Sequence, residues 1–240
     1  MIPTVVENWT PRPLMTAPSL VGRYVRVDPL NIHEDVPLLW DALGGNDNTL
    51  NERLKWYGML DLKEESDLAN LLTTIEETPG QCVNIFRLTS NSRGNDNDEN
   101  TVAGMASYLR TRPKDGSTEV GFVAHGPAMA QRPAATEAHY LLAKHAFDTM
   151  GYRRYEWKCD SNNVPSGKAA LRYGFTFEGC FRQDRITDRG TNRNTNWYSI
   201  LDSEWATCKK AMELWLVETN FDGSGKQKQR LEELRNGLQE

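Results

Sequence analysis

The chain predicts a mixed α/β fold, one sheet of about seven strands with helices on both faces, gathered in a single domain. Three observations carry this. Runs with a two-residue apolar period alternate with runs of helical period along most of the 240 residues. Two strand runs, Val102 to Arg110 and Ser117 to Ala124, flank Arg112-Pro113-Lys114-Asp115-Gly116, whose turn residues make them an antiparallel hairpin. From Ser117 to Tyr173 the chain then reads strand, small-residue turn, helix, strand, helix.

The elements follow in order. Residues 1–19 hold Pro3, Pro11, Pro13 and Pro18 without periodicity and read as an extended arm. Leu20 to Val27 alternates as a strand, and Asn31 or Asp35 is placed to cap a helix through Val36, Leu39, Trp40 and Leu43. Trp56 to Leu60 is aromatic and aperiodic, and Leu68, Leu72 and Ile75 put one face on a helix from Leu62 to Ile75. Cys82 to Leu88 is a strand, and the polar stretch Ser90 to Asn100 is expected to be an exposed, mobile loop. Thr136 to Met150 is a helix stopped at Gly151, Arg154 to Cys159 a strand, and Ser166 to Tyr173 a short helix. Phe177 to Ile186 and Thr195 to Leu201 close the sheet, and Ser203 to Val217 is an amphipathic helix. The domain is thus expected at 20–217, followed by a polar tail at 218–240 with a weak helix around Leu231 and Leu234.

With 38% hydrophobic and 25% charged residues the composition is that of an ordinary globular protein. A net charge of −5 argues against broad binding to nucleic acid or anionic membranes. No basic and apolar leader opens the chain and no apolar run is long enough to span a bilayer, so a cytoplasmic protein without membrane or nucleic-acid partners is expected. Cys82, Cys159, Cys180 and Cys208 are widely spaced, and His33, His125, His139 and His145 do not complete a zinc pattern. Reduced thiols and no metal are expected.

The segment Ala130 to Phe175 carries the most chemistry. A small-residue turn that opens a helix after a strand presents unpaired N–H groups and the positive end of the helix dipole, which suits phosphate. A second strand and helix follow at once, with Asn163 beside them.

These residues resemble a known family. Ala135-Thr136-Glu137-Ala138, Gly151 to Asp160, Asn163-Val164-Pro165-Ser166, Gly174 to Gly179, and Ser117 to Phe122 are together similar, in order, to the GNAT superfamily of acetyl-CoA-dependent N-acetyltransferases, in particular its RimJ/RimL-like branch. The resemblance covers Leu20 to Trp205. It implies the GNAT fold, a mostly antiparallel sheet with a V-shaped splay between its two central parallel strands, and acetyl-CoA as cosubstrate in that splay. The pantetheine amides would pair with main chain of Phe122, Val123 and Ala124. The pyrophosphate would sit on amides of Gln131, Arg132, Ala134, Ala135 and Thr136, with the Thr136 hydroxyl. Asn163 would bond the pantetheine arm and Ser166 would approach the thiol. Lys168 and Arg172, four apart on one helix face, suit the 3′-phosphate or a solvated basic face. The turn departs from the family pattern Gln/Arg-x-x-Gly-x-Gly/Ala: it has no glycine, and Pro133 has no N–H to offer, a loss that the Arg132 cation offsets.

Amine acetylation needs a base for the amine proton and an acid for the departing thiolate. Glu119 is the first candidate base, on the strand whose far end would hold the cofactor; a salt-bridged strand glutamate is the alternative, and Glu156 and Asp160 are the other carboxylates in range. Asp160 equally suits the turn at Ser161-Asn162. Ala170 stands where many relatives carry an acidic Tyr, which leaves Ser166 as the candidate acid, or else a helix N-cap; Tyr173 reads as packing. Trp40, Trp56 and Tyr57 fall where the family covers its acceptor, as an aromatic wall or as core. The basic run Arg182, Arg185, Arg189 and Arg193 suits an acidic acceptor or a solvated loop. The expected function is transfer of acetyl to a primary amine, on a small molecule or amino acid or a protein N-terminus, by direct attack in a ternary complex. The partner is that amine acceptor, and the protein itself a monomer or homodimer. The competing expectation is a catalytically weak acyl-CoA-binding module with a sensing or scaffolding role.

Overall fold

The computed structural model describes residues 6–92, 100–223 and 225–238. The core of the loop expected between Ser90 and Asn100 lies outside the described residues, as do the two ends of the chain. The strands are β1 (Leu20–Val21), β2 (Val25–Pro29), β3 (Cys82–Leu88), β4 (Val102–Arg112), β5 (Ser117–His125), β6 (Arg154–Asp160), β7 (Thr176–Ile186) and β8 (Asn192–Leu201). The helices are α1 (Ile32–Leu43), α2 (Thr49–Leu54), α3 (Glu65–Glu76), α4 (Pro133–Lys144), α5 (Val164–Tyr173), α6 (Asp202–Leu216) and α7 (Leu231–Asn236). They build one sheet in the order β1-β2-β3-β4-β5-β6-β8-β7. Every pairing is antiparallel except β5 with β6.

Helices cover both faces. On one, α4, α5 and α6 bury Ala138, Leu142, Ala170 and Met212 against Phe86, Tyr108, Tyr155 and Trp157 of the sheet. On the other, α1, α2 and α3 bury Leu39, Leu43, Leu50, Leu68 and Leu72 against Val83, Ile85, Met105 and Leu109. The strand side chains alternate between these two cores, the period-two consequence of the pleat.

The sheet has eight strands among the described residues, where about seven were expected, because the alternating run from Leu20 is broken. Glu137 of α4 accepts from the amides of Arg23 (2.8 Å), Tyr24 (2.6 Å) and Val25 (3.0 Å), pulling the chain off the ladder between β1 and β2. A Cβ on Gly22 would lie 2.5 Å from that carboxylate, so only glycine fits the approach. Asn31, not Asp35, caps α1: its side chain accepts from the Glu34 amide, whereas Asp35 is fully buried and ion-paired to Arg87. Helix α3 starts at Glu65, later than expected, because Glu64 and Asp67 form a capping box there. Helix α2 was not expected; its six residues are too few to show a period. Helix α4 starts three residues earlier than expected, with Pro133 in its first turn, and passes into a wider π turn, His145–Thr149, before Gly151.

The N-terminal arm lies along the β4–β5 turn. Trp9 Nε1 donates to the Lys114 carbonyl (2.8 Å), Arg12 Nε to that of Gly151 (2.8 Å), and the Tyr152 hydroxyl to that of Pro13 (2.7 Å). After α6 the chain turns through Phe221 and Gln227 and returns as α7, which buries Leu231 beneath α5 and α6.

Candidate active site

Strands β5 and β6 pair through only three positions, Ser117↔Arg154, Thr118↔Tyr155 and Glu119↔Glu156. Beyond Glu119 they diverge. Helix α5 starts right after β6 and takes up the space, and β5 bulges away toward β4, with Phe122 at φ 52° and a register skip between Gly121 and Ala124. The result is a cleft of about 190 Å³ lined by Val120, Gly121 and Val123 of β5, Trp157 and Lys158 of β6, and Asn163 and Ser166 of α5. His125, Ala169 and Tyr173 line both this cleft and a second one of about 620 Å³ at the start of α4. The two form one channel along the open side of β5.

At the α4 end, Gln131 (φ 59°) turns the chain into the helix. The turn uses part of its own donor set: the Arg132 amide bonds the Met129 carbonyl and the Ala135 amide bonds that of Arg132, both at 3.1 Å. Pro133 has none. Of the predicted amides, those of Gln131 and Ala134 sit where the helix supplies no acceptor. Thr136 is 2% exposed and its Oγ1 accepts from Arg172 Nη1 at 3.0 Å. Arg172 lies over the Trp215 ring, 4.8 Å from its centroid, and makes no ion pair among the described residues. A guanidinium without a carboxylate, at the positive end of a helix, is an anion-receiving arrangement. Trp215, Phe221, Lys226 and Gln227 add a wall from the C-terminal segment. Lys168 is absent from this channel: it is exposed and borders a separate hollow between α5 and α7, near Glu204 and Glu232.

At the other end Asn163 caps α5, its Oδ1 accepting from the Ser166 amide at 3.3 Å. Ser166 is therefore not the cap. Its Oγ accepts from Trp157 Nε1 at 3.0 Å, which leaves the hydroxyl proton free to point at another acceptor. Tyr57 stacks on Phe122 with ring centroids 4.4 Å apart and donates its hydroxyl to the Val123 carbonyl at 3.2 Å. That carbonyl, expected for the pantetheine arm, already holds a partner. Trp56 is half-buried, and its carbonyl accepts from Arg193 Nη1 at 2.9 Å. Trp40 does not reach the site: it is 4% exposed within the α1–α3 core, its indole bonded to Asn46.

On the sheet face away from Trp157 lies a charged cluster. Glu119 is 3% exposed and Glu156 2%. Lys158 Nζ sits 2.7 Å from Glu119 Oε2, off the hydrogen-bond direction, and 2.8 Å from Glu156 Oε2. Arg110 holds Glu119 Oε1 at 2.8 Å; Arg112 and Arg154 hold Glu156 at 2.9 and 2.7 Å. Lys158 also lies over the Trp197 ring at 3.8 Å. Burial by itself would raise the Glu156 pKa, but hydrogen bonds from Lys158 and Arg154 outweigh it and hold the carboxyl below its ordinary value. Asp160 is occupied in its turn, accepting from the Asn162 amide at 2.8 Å. The basic run clasps the segment 56–61: Arg185 bonds the Tyr57 carbonyl, Arg189 that of Met59 and the Asp61 carboxylate, and Arg193 that of Trp56.

Sequence reasoning missed Trp157, Lys158, His125 and His139 as lining residues and treated Tyr173 as packing. Trp157 and Lys158 lie inside the segment Gly151 to Asp160, but adjacent strand residues face opposite sides and the sequence does not say which side opens. His139 follows Thr136 by one helical turn, the signal that puts it on the channel face of α4. Among the described residues no three His, Cys, Asp or Glu side chains gather as metal ligands, the four cysteines are free, and no helix is long and apolar enough to cross a membrane.

Comparison with known proteins bears on this geometry. A family model described as an acetyltransferase (GNAT) domain matches residues 31–176. The crystal structure of a GCN5-related N-acetyltransferase from Brucella melitensis is 37% identical and superposes with a TM-score of 0.86 over 96% of this chain and all of that one. A probable GNAT-family acetyltransferase from Chromobacterium violaceum is 28% identical, with a TM-score of 0.75 over 86% of this chain and 98% of its own. Over 106 residues, 44% of this chain, the sequence is 27% identical to the ribosomal-protein-serine acetyltransferase of Escherichia coli K12, and it spans 59% of that relative's length.

Proposed function

The chain belongs to the acetyltransferase (GNAT) family, and we propose that it transfers the acetyl group of acetyl-CoA to a primary amine. The observation that carries this reading is the end of β5–β6 pairing at Glu119↔Glu156, which opens a channel running from Ser166 to the start of α4. The free edge of β5 at Phe122 and Ala124 fits an extended arm bearing amides. The amides of Gln131 and Ala134, the Arg132 and Arg172 cations and the dipole of α4 fit a pyrophosphate. Asn163, whose Oδ1 serves the helix, keeps its Nδ2 donor for the arm.

Bound acetyl-CoA supplies an acetyl group activated as a thioester. Glu119, ion-paired with Lys158 and Arg110, takes the amine proton directly or through one water as nitrogen attacks the carbonyl carbon. Ser166, whose oxygen is engaged by Trp157, turns its proton toward the departing sulfur as the C–S bond breaks. The products are an amide and the free thiol. Tyr57, with Trp56 behind it, forms the acceptor wall. The E. coli relative is named for a ribosomal protein serine, so a peptide with an N-terminal serine is the first acceptor to test, beside amino acids and small amines. Calorimetric titration with CoA is expected to show one binding event per chain; no binding would overturn the reading.

A further inference from the structure

We infer that His125 and His139 hydrogen-bond the amide groups of the pantetheine arm, a reading that rests on the acetyl-CoA site proposed above. His139 is 3% exposed, yet neither Nδ1 nor Nε2 has a partner. The Nε2 of His125 is likewise buried and unpartnered. Buried polar atoms in folded proteins nearly always find partners, so three orphaned ring nitrogens lining one channel mark a place built for something polar. The rings lie 5.3 Å apart, and His139 is boxed in by Trp157 (5.3 Å) and Tyr173 (4.6 Å), which fixes its orientation.

Position selects the ligand group. His125 lines both parts of the channel, between the α4 turn and Ser166. That is midway between a phosphate site and a thioester site, where the arm and its two secondary amides pass. Burial holds the His125 pKa at about 4 and that of His139 well below its ordinary value, so both rings are neutral at physiological pH. A neutral imidazole offers one donor and one acceptor, the same pair that a secondary amide presents. A catalytic-base role would need these rings beside Glu119, on the other face of the sheet.

The test uses two probes on the full chain: CoA, and adenosine 3′,5′-bisphosphate, which carries the nucleotide without the arm. His139→Phe and His125→Phe are each expected to weaken CoA roughly 3- to 10-fold, the equivalent of one neutral hydrogen bond, and to shift the bisphosphate by less than about twofold. Unchanged CoA affinity, or equal loss for both probes, would overturn the inference. In the wild-type chain, imidazole ¹⁵N signals of both histidines are expected to move with CoA and stay in place with the bisphosphate; signals indifferent to CoA would contradict it without any variant. If the wild-type chain binds CoA and only these outcomes fail, the acetyl-CoA reading stands; if it binds no CoA, both fall.

Discussion

Glu119 and Glu156 face each other as the last matched pair of the two parallel strands, and Lys158 bridges them at 2.7 and 2.8 Å. The point where the sheet opens is thus also where its buried charge collects. The two glutamates are not equivalent: Glu156 has three cations on it and Glu119 two. Glu119→Gln is expected to lower kcat/KM about 10²- to 10⁴-fold and leave CoA affinity unchanged. Steady-state kinetics beside calorimetry checks this, and full activity in the variant would move the base elsewhere.

Ser166→Ala removes a hydroxyl and leaves the buried Trp157 indole without an acceptor. An orphaned donor costs about 1–3 kcal/mol, a Tm fall of about 2–12 °C for a chain of this size. The kcat is expected to fall more than KM rises. Thermal unfolding and initial rates separate the two effects.

Arg172→Met removes the guanidinium between Thr136 and Trp215. KM for acetyl-CoA is expected to rise roughly 10-fold and to depend less steeply on salt, with kcat near wild type. Rates measured across a salt series decide it.

Glu137→Gln tests the tie between the β1–β2 turn and α4. One of three charge-assisted amide contacts faces a donor after the change, and a stability loss of about 2–4 kcal/mol is expected by denaturant unfolding. Gly22→Ala should lose stability in the same way, through the 2.5 Å approach to that carboxylate. Since Glu137 sits away from the channel, activity at 25 °C is expected to persist in whatever folds.

A pH dependence follows at Glu178. Hydrogen bonds from Arg154, opposed by partial burial and helped by Ser199, hold its carboxyl below the ordinary value. A lowered folded pKa means that the unfolded chain binds the proton first as pH falls. The contribution is therefore complete above about pH 4.5 and is lost as pH drops through the folded value. The Tm gap between wild type and Glu178→Gln should narrow below that point; a gap constant from pH 7 to 3 would contradict the pairing.

Much of the fold is legible in the sequence because strands β3 to β6 and helices α1, α3, α5 and α6 carry clean periods and strong caps. The break at Gly22 is not, since it depends on Glu137, more than a hundred positions away, arriving at that turn. At the candidate site, the Asn163-Val164-Pro165-Ser166 segment and the turn before α4 line neighbouring clefts, and contacts that the sequence does not show decide which residue caps, stacks or packs there. Asn163 rather than Ser166 caps α5, because only the former has its oxygen over the first turn. Trp40 is aromatic, as an acceptor wall would be, but faces the α1–α3 core, and Tyr57, the residue after Trp56, takes the channel side. Lys168 and Arg172 share a helix face, yet Trp215 draws only Arg172 toward Thr136. That distinction rests on the C-terminal segment, which no local pattern connects to α5.

Turnover separates an acetyltransferase from an acyl-CoA-binding module. The most direct measurement is amine-dependent release of free thiol from acetyl-CoA, with mass spectrometry of the acceptor, across a panel of a peptide with N-terminal serine, amino acids and small amines. Thiol release matched mole for mole by N-acetylated product is expected for at least one acceptor, slowed about 10²- to 10⁴-fold by Glu119→Gln. Tight CoA binding with no acetylated product from any amine would contradict it and leave an acyl-CoA-binding module in its place.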